Sequence, residues 1–395
     1  MSPAVPPGDA VALTRALVRA DSRNPSLSAG APGEGEAAAL LAGVLREWGF
    51  DVDVHDAAPG RPNVVARVAR GGGVGGDGRS LMLNGHLDVV GIEGMTHAPF
   101  AGEERGGRIY GRGAADMKGG VAAMCAAAWR AARGGALRGQ VVVAAVADEE
   151  YGSAGTNTLI ARGVRADAAI VTEPTRLTIM PAHRGFAWVE VHVAGRAAHG
   201  SRYEIGEDAV MLAGLLLAEL DAWEQTELPR RRTHPLLGRA SLHASTVSGG
   251  TAWSTYPDAC VLRFERRTLP GESADDALRE IRDACDRVAR RLESAGRRFV
   301  ATVIPRGAQE PSDVPSDAPI TRALGRALAA AGEPARVEGM SAWTDAALLN
   351  AAGIPAICFG PGDIALAHAA EEWIPVDEIE RAVNVLERLI GEWCR

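Results

Sequence analysis

Apolar positions along this chain follow two periods, and the switches between them mark its elements. Val11, Leu13, Leu17 and Val18 recur at helical spacing over 9–20, and Asp9 stands where it can cap that helix. Ser22-Arg23-Asn24-Pro25-Ser26 breaks the pattern, and 34–48 forms a second amphipathic helix that stops near Gly49. Residues 51–55 and 63–68 read as strands, and Leu81-Met82-Leu83 as a buried one. The Ala-rich stretch 121–132 is helical, whereas Val141 to Val146 and Ala168 to Val171 are again buried strands. From about Gly185 the character changes. Phe186 to Val193 alternates strictly, as a half-exposed strand does. Helix 207–223, strands 240–247 and 259–266, helix 273–293 and strand 298–304 follow, a ferredoxin-like βαββαβ unit inserted into the first domain. Helices 318–331 and 345–351, strand and turn 354–362, and helix 377–393 then resume the opening pattern. The predicted fold is α/β, a mixed sheet flanked by helices, with one domain from 1–184 and 309–395 and the inserted one at 185–308.

Composition narrows what such a fold can do. A chain of 395 residues is long for a single core, which agrees with two domains. The net charge of −8 with no basic stripe argues against a nucleic-acid surface; Arg230-Arg231-Arg232 is short and sits beside turn residues. No apolar run approaches the length of a membrane span, and residues 1–8 lack the pattern of a secretory signal. The five cysteines (125, 260, 285, 358, 394) are scattered, without Cys-x-x-Cys. They imply reduced thiols in a cytoplasmic protein, so any metal must be held by histidines and carboxylates. The glycine-rich stretch 71–78 opens no helix and lacks Lys-Ser/Thr, so it reads as a flexible hairpin turn rather than a phosphate loop. No Gly-x-Gly-x-x-Gly joins a strand to a helix, which counts against a nucleotide site.

Candidate chemistry gathers at strand ends. His86 and Asp88 end the strand at 81–85, two apart and so on one side of an extended backbone. Such a pair is either a metal ligand with its carboxylate partner or a structural buried histidine. Asp116 stands just before a helix, where it can cap the helix or bridge metals. A buried strand runs straight into Asp148-Glu149-Glu150, whose mutual repulsion a cation would relieve. Pro174 stops another strand and leaves Glu173 at its carboxyl end. His368 lies in a loop after a strand, and His199 in the Gly/Ser loop 195–202. His97, His192, His234 and His243 have no such placement and read as structural, as does Lys118, the one lysine among 42 basic side chains. The set of imidazole and hard oxygen donors suits zinc, manganese or cobalt, not a calcium cage or a thiolate site.

These residues form ordered motifs: Gly85-His86-Leu87-Asp88, the run 111–119 around Asp116, Asp148-Glu149-Glu150, Thr172-Glu173-Pro174, Gly195 to Ser201, Arg267-Thr268-Leu269-Pro270-Gly271-Glu272, and His368. In them the chain resembles the metallo-aminoacylase, acetylornithine deacetylase and succinyl-diaminopimelate desuccinylase superfamily, which also includes zinc carboxypeptidases and dipeptidases. The resemblance implies a zinc-peptidase-like catalytic domain, a lid domain that makes a homodimer, and two zinc ions that cobalt or manganese could replace. It implies that His86, Asp116 and Glu173 hold one metal and His368, Asp116 and Glu150 the other, with Asp88 orienting His86 and a cis peptide between Asp116 and Met117. It further implies hydrolysis of the amide of an N-acyl amino acid or peptide by a metal-bridged hydroxide. Glu149 would be the base, His199 would steady the oxyanion from the partner subunit, and Arg267, Ser254 and Gly339 would contact substrate. Ser254 stands where many relatives have Asn, and Glu265-Arg266-Arg267 where they have Asp-x-Arg, so acetylornithine itself is not implied. A carboxypeptidase or dipeptidase is the alternative on this scaffold, and a non-catalytic binding protein a remote one.

Overall fold

The computed structural model describes residues 5–69, 78–135 and 137–395. The expected hairpin turn at 71–78 lies, except for Gly78, outside them. The chain divides into two units: Met1–Pro181 with Val314–Glu338 and Thr344–Arg395, and Ala182–Asp313 with Gly339–Trp343.

The first unit is built on a mixed sheet. Seven of its strands run in the order Asp51–Ala58, Arg61–Ala69, Gln140–Val146, Ser80–His86, Ala168–Val171, Ala356–Cys358, Ile179–His183. Ser80–His86 is parallel to both of its neighbours, and Ala356–Cys358 is parallel to Ala168–Val171. The strands at the other end pair antiparallel. Leu81, Met82, Leu83 and the run Val141–Val146 are buried, as continuous apolar strands covered on both faces must be. Helix Gly119–Arg133 packs against Val376–Trp393 and Ala10–Arg19. Asp9 caps the last of these, its side chain accepting from Ala12 N–H at 2.9 Å. Gly120 lets the start of Gly119–Arg133 press onto the strand end before Glu173, since a Cβ there would lie 2.0 Å from the Thr172 carbonyl oxygen. Two short strands, Arg108–Tyr110 and Trp373–Pro375, pair beside this helix start.

The second unit is a four-stranded antiparallel sheet in the order Ser241–Gly249, Ala259–Thr268, Gly185–Ala194, Val300–Gln309. With helices Ala209–Thr226 and Ala274–Glu293 it makes the βαββαβ arrangement. Val189, Val191 and Val193 face the helices and form one core with Leu212, Leu216, Ile281 and Val288. No helix among the described residues is long and apolar enough to cross a membrane.

Candidate metal centre

The parallel strands aim their carboxyl ends at one place, and the acidic residues that follow them meet there. His86, at the end of its strand, is 2 % exposed. Its Nδ1 lies 2.8 Å from the main-chain carbonyl of Asp88. A carbonyl only accepts, so Nδ1 carries the proton, and in the neutral ring Nε2 presents its lone pair. Nε2 faces Asp116 Oδ1 at 3.1 Å and Glu149 Oε2 at 3.9 Å. His368 Nε2 likewise lies 3.0 Å from Glu150 Oε2 and 3.6 Å from Asp116 Oδ2. A lone pair against a carboxylate oxygen is repulsive unless a proton or a cation lies between them. Ligand atoms of His86, Glu149 and Glu173 lie within 4.8 Å of one another, as do those of His86, Asp116 and Glu150. Five of the predicted residues, His86, Asp116, Glu149, Glu150 and Glu173, are thus gathered, and His368 touches two of them.

Electrostatics point the same way. Burial raises the pKa of Glu149, Glu150 and Glu173, and neighbouring carboxylates raise it further, against the pull of His86. Burial would lower His86, but its bond to Asp116 and the charges of Glu149, Asp116 and Asp88 carry it well above the ordinary range. Burial would raise Asp116, and the two histidines and Arg112 bring it below its usual value. The site holds more carboxylate than its own cations balance, and its oxygen and imidazole donors fit divalent cations.

Around the donors, the chain fixes the turn that carries the acids. Asp88 accepts the N–H groups of Glu149 and Glu150, both at 3.1 Å, and Nδ2 of Asn24 at 2.8 Å. Its carboxylate stands 3.7 Å from His86 Nδ1, so the nearer partner that orients His86 is the Asp88 carbonyl, while the carboxylate serves the Glu149–Glu150 turn. Asp148, in the left-handed region at φ 67°, turns away to Arg61 Nη2 at 3.2 Å and Asn24 Nδ2 at 3.0 Å. Arg61 is in turn held by Glu34. One of the three consecutive acids is therefore neutralised by an arginine, and the other two are left to the centre. The Asp116–Met117 peptide is cis. Lys118 is fully buried and donates to the Ala20 carbonyl at 2.9 Å, with burial lowering its pKa to about 8.

Sequence reasoning missed Asp345. It is 1 % exposed, accepts from Thr156 Oγ1 at 2.6 Å, and has its pKa raised to about 6 by burial. It begins helix Ala346–Ala351 without capping it, a sign visible only in three dimensions. Glu372 and Arg112, buried together beside Asp116, were missed for the same reason.

His199, Ser254, Arg267 and Gly339 all belong to the second unit. His199 is exposed, its Nδ1 2.8 Å from Ser201 Oγ, and it forms a bridge with Thr255. Ser254 is exposed. Arg267 Nε donates to Glu265 at 2.7 Å, with the guanidinium 5.5 Å from the Phe186 ring centre. Gly339 has no room for a side chain, since a Cβ would lie 2.5 Å from the Leu236 carbonyl oxygen.

A crowd of carboxylates around two histidines, at the strand ends of an α/β sheet, is the arrangement of a metal-dependent hydrolase. Comparison narrows the class: the chain belongs to peptidase family M20/M25/M40, whose profile matches residues 82–392. It is 32% identical over 362 residues to an acetylornithine deacetylase of Myxococcus xanthus, covering 89% of this chain and 90% of that protein. It is 28% identical over 392 residues to N-formyl-4-amino-5-aminomethyl-2-methylpyrimidine deformylase of Bacillus subtilis, covering 90% and 88%. A dinuclear metal binding peptidase of family M20, also from Bacillus subtilis, shares the fold at a TM-score of 0.72 and 18% identity, over 98% of this chain and 97% of that one. The chain is a metal-dependent amidohydrolase.

Proposed function

We propose that the chain removes the acyl group from an N-acyl amino acid or a close relative. One observation carries this reading. Glu149 is a half-buried carboxylate whose main chain is held by Asp88 and whose side chain stands beside His86. Its relatives in sequence include a deacetylase and a deformylase, both named for acyl removal.

His86, Asp116 and Glu173 would hold one zinc, and Asp116, Glu150 and His368 the other, with cobalt or manganese as substitutes. Bound there, the cations would polarise the amide carbonyl and lower the pKa of a water. Glu149 takes the proton as the water's O–H bond breaks and its oxygen bonds to the acyl carbon. The same proton then goes to the amine nitrogen as the C–N bond breaks, giving a carboxylic acid and a free amine. Asp88 keeps Glu149 and Glu150 in register by holding both of their N–H groups. His199 is assigned to the oxyanion, acting from the partner in a homodimer made by the second units. Arg267 is assigned to a substrate carboxylate, for which a guanidinium fork is suited, with Ser254 and Gly339 as further contacts. The free, buried cysteines support a reducing, cytoplasmic setting. A peptidase acting on the same bond is the second reading, favoured by the family's peptidases.

Glu149→Ala tests the assignment. It should cut turnover by at least about 10²-fold, the usual contribution of a general base, and leave two cations per chain. Mixed with His199→Ala chains, it should recover activity if His199 acts across a dimer. Near-normal turnover of the alanine variant alone would remove Glu149 from the role.

A further inference from the structure

An aspartate at a helix start ordinarily takes the first main-chain N–H groups with its own carboxylate. Asp116 does not. The turn Ala114–Lys118 and helix Gly119–Arg133 behind it have no side-chain bond from their own N-caps. The carboxylate of Asp116 points instead at His86 and His368. The N–H groups of Ala115 and Asp116 are taken by Oε1 of Glu372, at 3.0 and 3.2 Å. Its other oxygen accepts from Arg112 Nη1 at 2.7 Å, while Arg112 Nε donates to the Gly91 carbonyl at 2.9 Å. Glu372 is fully buried and Arg112 nearly so.

The register that brings these residues together is set locally. Glu372 comes four residues after His368 and just before strand Trp373–Pro375. Trp373 pairs with Tyr110, and the N–H of Gly111 donates to the Glu372 carbonyl at 3.2 Å. Arg112 and the Asp116 turn follow at once. One short ladder therefore connects the loop of the last predicted ligand to the turn of the bridging one, far apart in sequence. A buried ion pair is a weak stabiliser, because desolvation offsets its attraction. This pair has another use. Without Glu372, the nearby N–H groups would compete for the Asp116 carboxylate.

We propose that Glu372 is a positioning residue of the metal centre: it takes over the cap at the helix start, frees the Asp116 carboxylate to lie between the two histidines, and ties Asp116 to the His368 loop. The inference rests on the reading of Asp116 as a cation ligand. Partners that orient ligands in this way typically change metal affinity about 10- to 100-fold when removed.

The test uses the full chain with cobalt(II) as probe. It reads affinity by calorimetry, the cobalt absorption spectrum, and hydrogen exchange at Ala115 and Asp116 in metal-free protein. Glu372→Ala should weaken cobalt binding about 10- to 100-fold, alter the spectrum, and speed exchange at both amides. Glu372→Gln keeps an acceptor for those amides and should restore most of the affinity. The double variant Glu372→Ala with Arg112→Met leaves no stranded guanidinium, and carries the same readouts if the single variant does not fold. Unchanged affinity and exchange in a folded alanine variant, or equal losses in the alanine and glutamine variants, would overturn the proposal. If the unaltered chain takes up no cobalt, the proposed function fails, and the exchange rates still decide whether Glu372 holds the turn.

Discussion

A buried imidazole must account for both of its ring nitrogens, and two histidines here do so differently. His86 gives its Nδ1 proton to the Asp88 carbonyl and turns Nε2 to the acids of the centre. His183 gives its Nδ1 proton to the Arg184 carbonyl, at 3.1 Å, and its buried Nε2 has no partner among the described residues. Burial accordingly lowers the His183 pKa from 6.5 to about 4. The folded state refuses a proton that the unfolded chain takes up below pH 6.5, so stability falls as pH drops from there through about 4. The loss amounts to on the order of 3 kcal/mol at 1.36 kcal/mol per pKa unit. His183→Gln should flatten this limb in denaturant unfolding measured across that range; parallel profiles for both proteins would refute it. Residue chemistry was legible where position in an element restricts it. His86, Glu150 and Glu173 could be picked out because each follows a buried apolar run. Asp345 and Glu372 could not, because their distinguishing feature is a cap bond not made in one case and supplied across a long sequence gap in the other.

At the level of elements, long periodic segments were readable and short ones were not. Helix 377–393 and the alternating strand 186–193 were expected within one residue of where they are found, since their apolar spacing extends over several turns or pleats. Arg108–Tyr110 and Trp373–Pro375 span three residues each, too few to show a period, yet their pairing sets the register of the Asp116 turn. The motif Glu265-Arg266-Arg267 was read for its substrate arginine, and the structure adds a second one with a different task. Arg266 is 1 % exposed and joins strand Ala259–Thr268 to Glu280 of helix Ala274–Glu293 at 2.9 Å and to Glu272 at 3.0 Å. Removing it leaves buried Glu280 to the exposed Arg231 and Glu272 to the Leu269 N–H, so Arg266→Ala should cost about 1.5–3 kcal/mol of stability, the range of a hydrogen bond to a charged group. Urea unfolding would measure this. A loss below about 1 kcal/mol, the worth of a solvated pair, would show that water takes over the bonds.

Over the whole molecule, the change from continuous to alternating apolar strands marks where the second unit begins. A strand exposed on one face and one covered on both differ in composition, and that difference survives in the sequence. The return of Gly339–Trp343 to the second unit leaves no such trace, because five residues of a loop have no pattern of their own. The α/β fold, the family and the metal-dependent hydrolysis were likewise readable from motif order. The acyl group and the amino acid were not, since they depend on contacts rather than on motifs. Removal of acyl groups from N-acyl amino acids with the help of bound cations is the activity proposed for this chain. Its most direct test is amine release from a panel of N-acetyl, N-succinyl and N-formyl amino acids and dipeptides, before and after chelation and with zinc, cobalt or manganese restored. Release from acyl amino acids should stop with chelation and return with the cation. Release that ignores the chelator, or none from any member of the panel by fully loaded protein, would contradict it.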